Sequence, residues 1–172
     1  MSFSPVRLNH AVLYVSDLAR SEAFYRNTFG MEVAAREPRA NAAFLRLPRS
    51  GNHHDLGLFG IGNAGGPKRR GLGLYHLAWQ VDTIDELAAA REALAAADAY
   101  TGESSHGATK SVYGADPDGN EFEVMWMLPR HAWGHYLNSA PVDPLDLAGE
   151  VRQWSGVRTA GVVVDASEQS PA

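Results

Sequence analysis

Two histidines and one late glutamate are the residues of this 172-residue chain whose types and spacing could assemble a metal centre. His10 opens "HAVLYV" and His76 opens "HLAWQV", sixty-six positions apart, and each His precedes a Val by five residues. Far downstream, "SVYGADPDGNEFEVMW" alternates like a β-strand and carries Glu121 and Glu123. Successive strand residues point to opposite faces, so these two carboxylates share a face. A carboxylate turned into an enclosed cavity needs a partner, and a metal ion is one candidate. Two imidazoles and one carboxylate with open coordination positions suit non-haem Fe(II), and Mn, Zn or Ni would also accept these ligands. Spacing alone leaves Glu121 and Glu123 both open.

The elements that would position these residues read twice along the chain. "VRLNHAVLYV" is β-branched and aromatic and predicts a strand. Ser16 and Asp17 offer N-cap oxygens, Leu18, Glu22, Tyr25 and Phe29 recur at helical spacing, and Gly30 can end the helix. Strands are predicted near 31–37, 41–47 and 54–61. "GNAGGPKRRG" is a Gly-rich break and the internal boundary. The plan then restarts: "LGLYHLAWQV" predicts a strand, and Thr83 a cap. "IDELAAAREALAAA" predicts a helix with Ile84, Leu87, Arg91 and Leu94 on one stripe. Strands follow near 98–102, 109–114 and 121–128. Each half is βαβββ, which predicts a duplicated unit whose equivalent positions face one cavity.

Composition narrows the function classes. The net charge of -5 gives a phosphate backbone little to gain, so no nucleic-acid partner is expected. The Lys68-Arg69-Arg70 patch reads as a solvated loop. With no cysteine there are no disulfides, thiolate zinc sites or cysteine nucleophiles. No apolar run is long enough to span a bilayer and the start lacks a signal-peptide core, so a soluble, cytoplasmic protein without a membrane partner is expected. After Trp126 the chain turns rich in Pro and aromatics. Trp133, Tyr136 and Trp154 predict packing against the core or a partner, and residues 157–172 read as frayed.

"DPDGNEFEV" resembles the final turn and ligand strand of the vicinal oxygen chelate superfamily, which includes glyoxalase I, fosfomycin and bleomycin resistance proteins and extradiol dioxygenases. The resemblance selects Glu123 over Glu121. It gives Asp116, Pro117, Gly119 and Asn120 a turn role. "HGATKSVYGADPDGNEFE" is most similar to the extradiol, catechol 2,3-type dioxygenases. His106, Val112, Tyr113, Asp116, Pro117, Gly119 and Glu123 fill that pattern, while Ser104 departs from it. "NHHDLGLF" resembles the same enzymes' His-Asp strand and makes His54 the matching residue.

The resemblance implies an α+β fold in which two βαβββ modules, about 5–62 and 71–128, form one domain. Its curved, barrel-like mixed sheet surrounds the metal. A C-terminal extension, 129–172, follows, its last part expected to be disordered. The additional domain of larger relatives is not expected here. It implies an oxidoreductase that uses Fe(II) (or Mn, Zn or Ni) on His10, His76 and Glu123 to insert O2 into a small aromatic diol. His54 and His106 would handle protons or orient substrate, and Tyr113 would hydrogen-bond a catecholate oxygen. A homodimer is the family's habit. The competing readings are a glyoxalase- or resistance-type isomerase, lyase or transferase that works without O2, and a metal-free small-molecule-binding protein.

Overall fold

The computed structural model describes residues 5, 7–65 and 72–160. They divide into two units. One is built on residues up to Leu72 together with the turn Asp116–Asn120. The other is built on Gly73–Ala115 and on Glu121 onward. The Lys68-Arg69-Arg70 patch and the chain beyond 160 lie outside the described residues.

The first unit runs β1 (Ala11–Val15), α1 (Leu18–Phe29), β2 (Glu32–Glu37), β3 (Ala42–Arg46) and β4 (Leu56–Gly60). Helix α1 starts where the Asp17 carboxylate accepts from the Arg20 amide. It stops where Gly30 adopts a left-handed φ of 65°. The strands form one mixed sheet of order β1-β4-β3-β2, with β1 parallel to β4 and the other pairs antiparallel. Leu13, Val15, Tyr25, Leu45, Leu56 and Leu58 are buried. Each large aliphatic side chain so removed from water contributes about 1.5–3 kcal/mol before entropy is counted.

The second unit repeats the plan with β5 (Leu77–Gln80), α2 (Ile84–Ala96), β6 (Tyr100–Ser105), β7 (Thr109–Ala115) and β8 (Glu121–Met127). Its order is β5-β8-β7-β6, with the parallel pair again formed by the first and last strands. Even the register irregularity recurs, between Val33 and Ala35 in β2 and between Tyr100 and Gly102 in β6. Thr83 caps α2, its hydroxyl accepting from the Glu86 amide at 3.2 Å, and the Glu86 carboxylate accepts from the Asp82 amide, one residue before the cap, at 2.8 Å. Ile84, Leu87 and Leu94 bury one helix stripe, while Arg91 pairs with Glu103 at 2.6 Å.

The duplicated α+β architecture is therefore as expected, as two four-stranded mixed sheets. Two strand starts differ from the reading. β1 begins at Ala11 and β5 at Leu77, because their parallel partners begin only at Leu56 and Glu121. The residues ahead of those partners lie outside the strands, so "RLNH" and "LGLYH" have no ladder to join.

Residues 128–160 pack within the second unit. Helix α3 (Leu147–Trp154) is capped by the Asp146 carboxylate, which accepts from the Gly149 amide at 2.9 Å. The Trp154 ring lies 6.3 Å from that of Trp126, and the buried Lys110 ammonium pairs with Glu150 at 2.8 Å. Residues 157–160 are held too: the Thr159 and Ala160 amides donate to the Asp82 carboxylate at 3.1 and 3.0 Å.

Candidate active site

The six residues singled out by type and pattern fall into two groups, one in each unit. In the first unit, His10 immediately precedes β1 and His54 lies in the turn two residues before β4. Parallel pairing of β1 with β4 brings the two imidazoles to the same end of the sheet, 4.5 Å between ring centroids. The Phe44 ring meets His54 edge-on at 5.1 Å, and His53 Nδ1 lies 3.1 Å from His54 Nδ1. Burial holds the His54 imidazole below the usual histidine range; the nearby His10 and His53 add to this and Asp55 opposes it.

Asp55, the Asp of the His-Asp strand, and Asn52 build this end of the sheet, a role the motif itself did not assign them. The buried Asp55 carboxylate accepts from the Leu47 amide, the Ser50 hydroxyl and the Asn52 amide group, each at 2.7 Å. The Asn52 side chain also donates to the Asn9 carbonyl at 3.0 Å, so the turn that carries His54 is tied to the residue before His10. One buried carboxylate with three donors is a common way to fix a loop beside a site.

In the second unit, His76 immediately precedes β5, and Glu123 lies on the adjacent strand β8. His76 Nε2 is 3.2 Å from Glu123 Oε2. A bare imidazole lone pair and a carboxylate oxygen repel each other, so this contact requires a positive centre between them, a proton or a metal ion. The Ser111 hydroxyl donates to Glu123 Oε1, which orients the carboxylate and leaves Oε2 toward His76. His76 Nδ1 is buried with no hydrogen-bond partner. An imidazole nitrogen and a carboxylate oxygen at this spacing fit two neighbouring ligands of a divalent ion with bonds of about 2.0–2.2 Å. Among the described residues, no three His, Asp or Glu side chains come together as a group that could hold a metal ion.

Tyr113 stands directly across from Glu123 in the β7–β8 ladder, so both side chains share one face. Its ring is 5.9 Å from that of His76. The Tyr113 hydroxyl is 2.7 Å from His106 Nε2. Ser104, the position that departs from the dioxygenase pattern, joins them: its hydroxyl is 2.8 Å from His106 Nε2 and 3.2 Å from the Tyr113 oxygen. The signal for Ser104 was its pairing with Ser111 on the neighbouring strand, which no reading of a single strand supplies.

The motif's turn has the role expected of it. Asp116 accepts from the amides of Asp118 and Asn120 at 2.9 and 2.8 Å and from the Asn120 side chain at 2.9 Å, and Gly119 takes a φ of 76°. The turn also docks on α1. Asp118 binds the Ser16 amide and hydroxyl and pairs with Arg20 at 2.7 Å, and the buried Tyr25 hydroxyl donates to Asp116 at 3.1 Å. Burial, followed by the negative charge of Asp116, holds the Tyr25 phenol well above its ordinary range. Burial pushes Asp118 up, but the Ser16 hydrogen bonds and Arg20 outweigh it and hold the carboxyl below the usual range.

The profile of the glyoxalase/bleomycin resistance protein/dioxygenase superfamily matches residues 7–124. The chain belongs to this superfamily. The match runs from the residues just before β1 into β8 and takes in His10, His54, His76, His106, Tyr113 and Glu123. A catechol-2,3-dioxygenase of Bacillus subtilis (strain 168) is 29% identical over 162 residues, 86% of this chain and 54% of the relative. The chain thus spans about half the length of that curated relative. Among solved structures, a glyoxylase/bleomycin resistance protein/dioxygenase domain from Frankia sp. EAN1pec superposes with a TM-score of 0.62 at 24% identity, over 77% of this chain and 99% of that one. A lactoylglutathione lyase from Agrobacterium tumefaciens superposes with a TM-score of 0.54 at 26% identity, over 71% of this chain and 94% of that one. Members of the superfamily bind divalent metals and act on small molecules. Among the described residues no helix is long and apolar enough to cross a membrane.

Proposed function

We propose that the chain is an extradiol ring-cleaving dioxygenase of the catechol 2,3 type, an Fe(II)-dependent oxidoreductase acting on a small aromatic diol and O2. The observation that carries this reading is the His106–Tyr113 hydrogen bond at 2.7 Å, on the sheet that also holds the His76–Glu123 pair. The resemblance of "HGATKSVYGADPDGNEFE" to these enzymes and the similarity to a catechol-2,3-dioxygenase support it. His10, His76 and Glu123 are the residues that would hold the metal. Iron, when bound there, supplies a Lewis acid for both catechol oxygens and a route for electrons to O2.

The chain's own residues do the rest. Glu123, steadied by Ser111, offsets one unit of cationic charge. The Tyr113 hydroxyl, opposite Glu123 on the ladder, hydrogen-bonds a diol oxygen and relays its proton toward His106. His54, held neutral by burial and by its histidine neighbours, is suited to accept or return a proton at neutral pH. The protein is expected to act in the cytoplasm as a homodimer, which its molecular mass in solution checks.

The deciding experiment loads the protein with Fe(II) without air, then adds oxygen and a panel of catechols and follows the coloured ring-fission product. Product from one or more catechols is the expected result; none, with iron still bound, would sink the proposal. A second reading, a metal-dependent lyase or isomerase, draws on the likeness to the lactoylglutathione lyase structure. Turnover of a hemithioacetal without oxygen would favour it.

A further inference from the structure

The C-terminal extension reaches back to His106. That residue follows the last residue of β6, the edge strand of the second sheet, and its amide donates to the Thr109 carbonyl at 2.8 Å. On its ring, Nδ1 lies 2.8 Å from the Pro141 carbonyl oxygen. A carbonyl only accepts, so Nδ1 must carry a proton. A neutral imidazole then has its lone pair at Nε2 alone.

Three contacts keep Pro141 in place. Asp143 and Ser105 exchange both backbone hydrogen bonds, at 2.9 and 2.8 Å, two residues beyond Pro141 and one before His106. The Tyr136 ring lies against Gly107, whose φ is 73°, and a Cβ there would collide with the ring. Trp133 anchors the start of the segment, its indole N–H donating to the Leu128 carbonyl at 2.7 Å.

We infer that residues 133–143 act as a positioning strap that holds His106 in the Nδ1–H form and so fixes the direction of a proton relay. The one lone pair at Nε2 faces two hydroxyls, Tyr113 at 2.7 Å and Ser104 at 2.8 Å, and the nearer Tyr113 takes it. His106 Nδ1–H gives to Pro141, Tyr113 O–H gives to His106 Nε2, and Ser104 O–H gives to the Tyr113 oxygen. On the functional reading proposed above, on which the relay's substrate rests, a diol hydroxyl gives its proton to Tyr113 as Tyr113 gives its own to His106. The products are a diol monoanion, a neutral tyrosine and an imidazolium, and no proton is gained or lost. With the other tautomer, Nε2–H would point at Tyr113 and block that transfer.

The test reads the tautomer directly. The protein is labelled with 15N-histidine and long-range 1H–15N spectra are recorded at alkaline pH, where imidazoles are neutral. His106 is assigned by loss of its signals in His106→Gln. The expected spectrum shows a protonated Nδ1 and a bare Nε2 for His106. In Asp143→Pro, which removes the amide that donates to Ser105, the signals should move toward the Nε2–H form. Tyr136→Ala serves as a milder second variant if the first does not fold. An Nε2–H signal for His106 in the unaltered protein would overturn the inference. So would an Nδ1–H signal unchanged in both variants. No metal or catechol enters this measurement. A fixed Nδ1–H with no ring cleavage would therefore retire the dioxygenase reading and keep the strap.

Discussion

The two sheets are copies in topology and opposites in chemistry. Their ladders allow the comparison position by position. In the second sheet Ala78, Glu123 and Tyr113 stand side by side on adjacent strands; in the first, Val12, Gly57 and Phe44 hold those places. The carboxylate has a glycine as its counterpart, and the phenol a phenyl ring. A Cβ at Gly57 would meet a Val12 methyl at a close 3.3 Å and the Phe44 ring at an ordinary 3.5 Å. Both copies keep only the histidine that precedes the first strand. The first sheet therefore carries its imidazoles, His10 and His54, together at one end, and the second sets an acid and a phenol side by side next to His76. The scaffold is repeated, while the acid and the phenol on these ladders stand in the second copy alone.

Changing the acid should have the largest effect. Glu123→Gln keeps shape and removes charge, and bound iron should fall by more than the roughly 10–100-fold that outer-shell changes cause. Metal content after dialysis measures it; iron retained at the wild-type level would break the assignment of the acid to the second copy. Tyr113→Phe makes the second sheet resemble the first at that place. Turnover should fall about 10²-fold or more with the fold intact, followed by ring-fission product and circular dichroism.

The helix starts also differ. Before α1, Ser16 binds Asp118; at the matching place before α2, Asp82 binds the Thr159 and Ala160 amides. Asp118→Asn should cost about 1–2 kcal/mol at pH 7, because the hydrogen bonds it accepts are to a charged group. A carboxyl held below its ordinary range contributes fully above about pH 4 and loses that contribution as pH falls through its lower folded value. The gap between wild type and variant in urea unfolding should therefore shrink in acid. A gap that persists at pH 2 would remove the charge from the explanation. Ser104→Ala should slow turnover only about 2–10-fold, the worth of one neutral hydrogen bond.

Much of this was readable in advance, for local reasons. Asp17, Thr83 and Gly30 are helix signals that act through neighbouring backbone groups, and the turn residues Asp116 and Gly119 act within five positions. The paired His positions were readable because the copies share a spacing. Long-range partners were not. His54 reaches His10 only because β4 pairs in parallel with β1, and Pro141 reaches His106 through a backbone oxygen that any residue would supply. Helix α3 was also missed, since it is short and follows a Pro-rich run; Trp154 pointed to packing but not to an element.

Lys110 gives the extension a further meaning. The residue is 5% exposed, and its ammonium is neutralised by Glu150, a residue past the family's matched span. Trimming the polypeptide at residue 128 would strand that cation in the interior, and losing one partner of a buried pair costs about 3–5 kcal/mol. Against a typical total of about 5–15 kcal/mol, the shortened protein should be insoluble or molten, and a second cut in Lys110→Met should recover much of the loss.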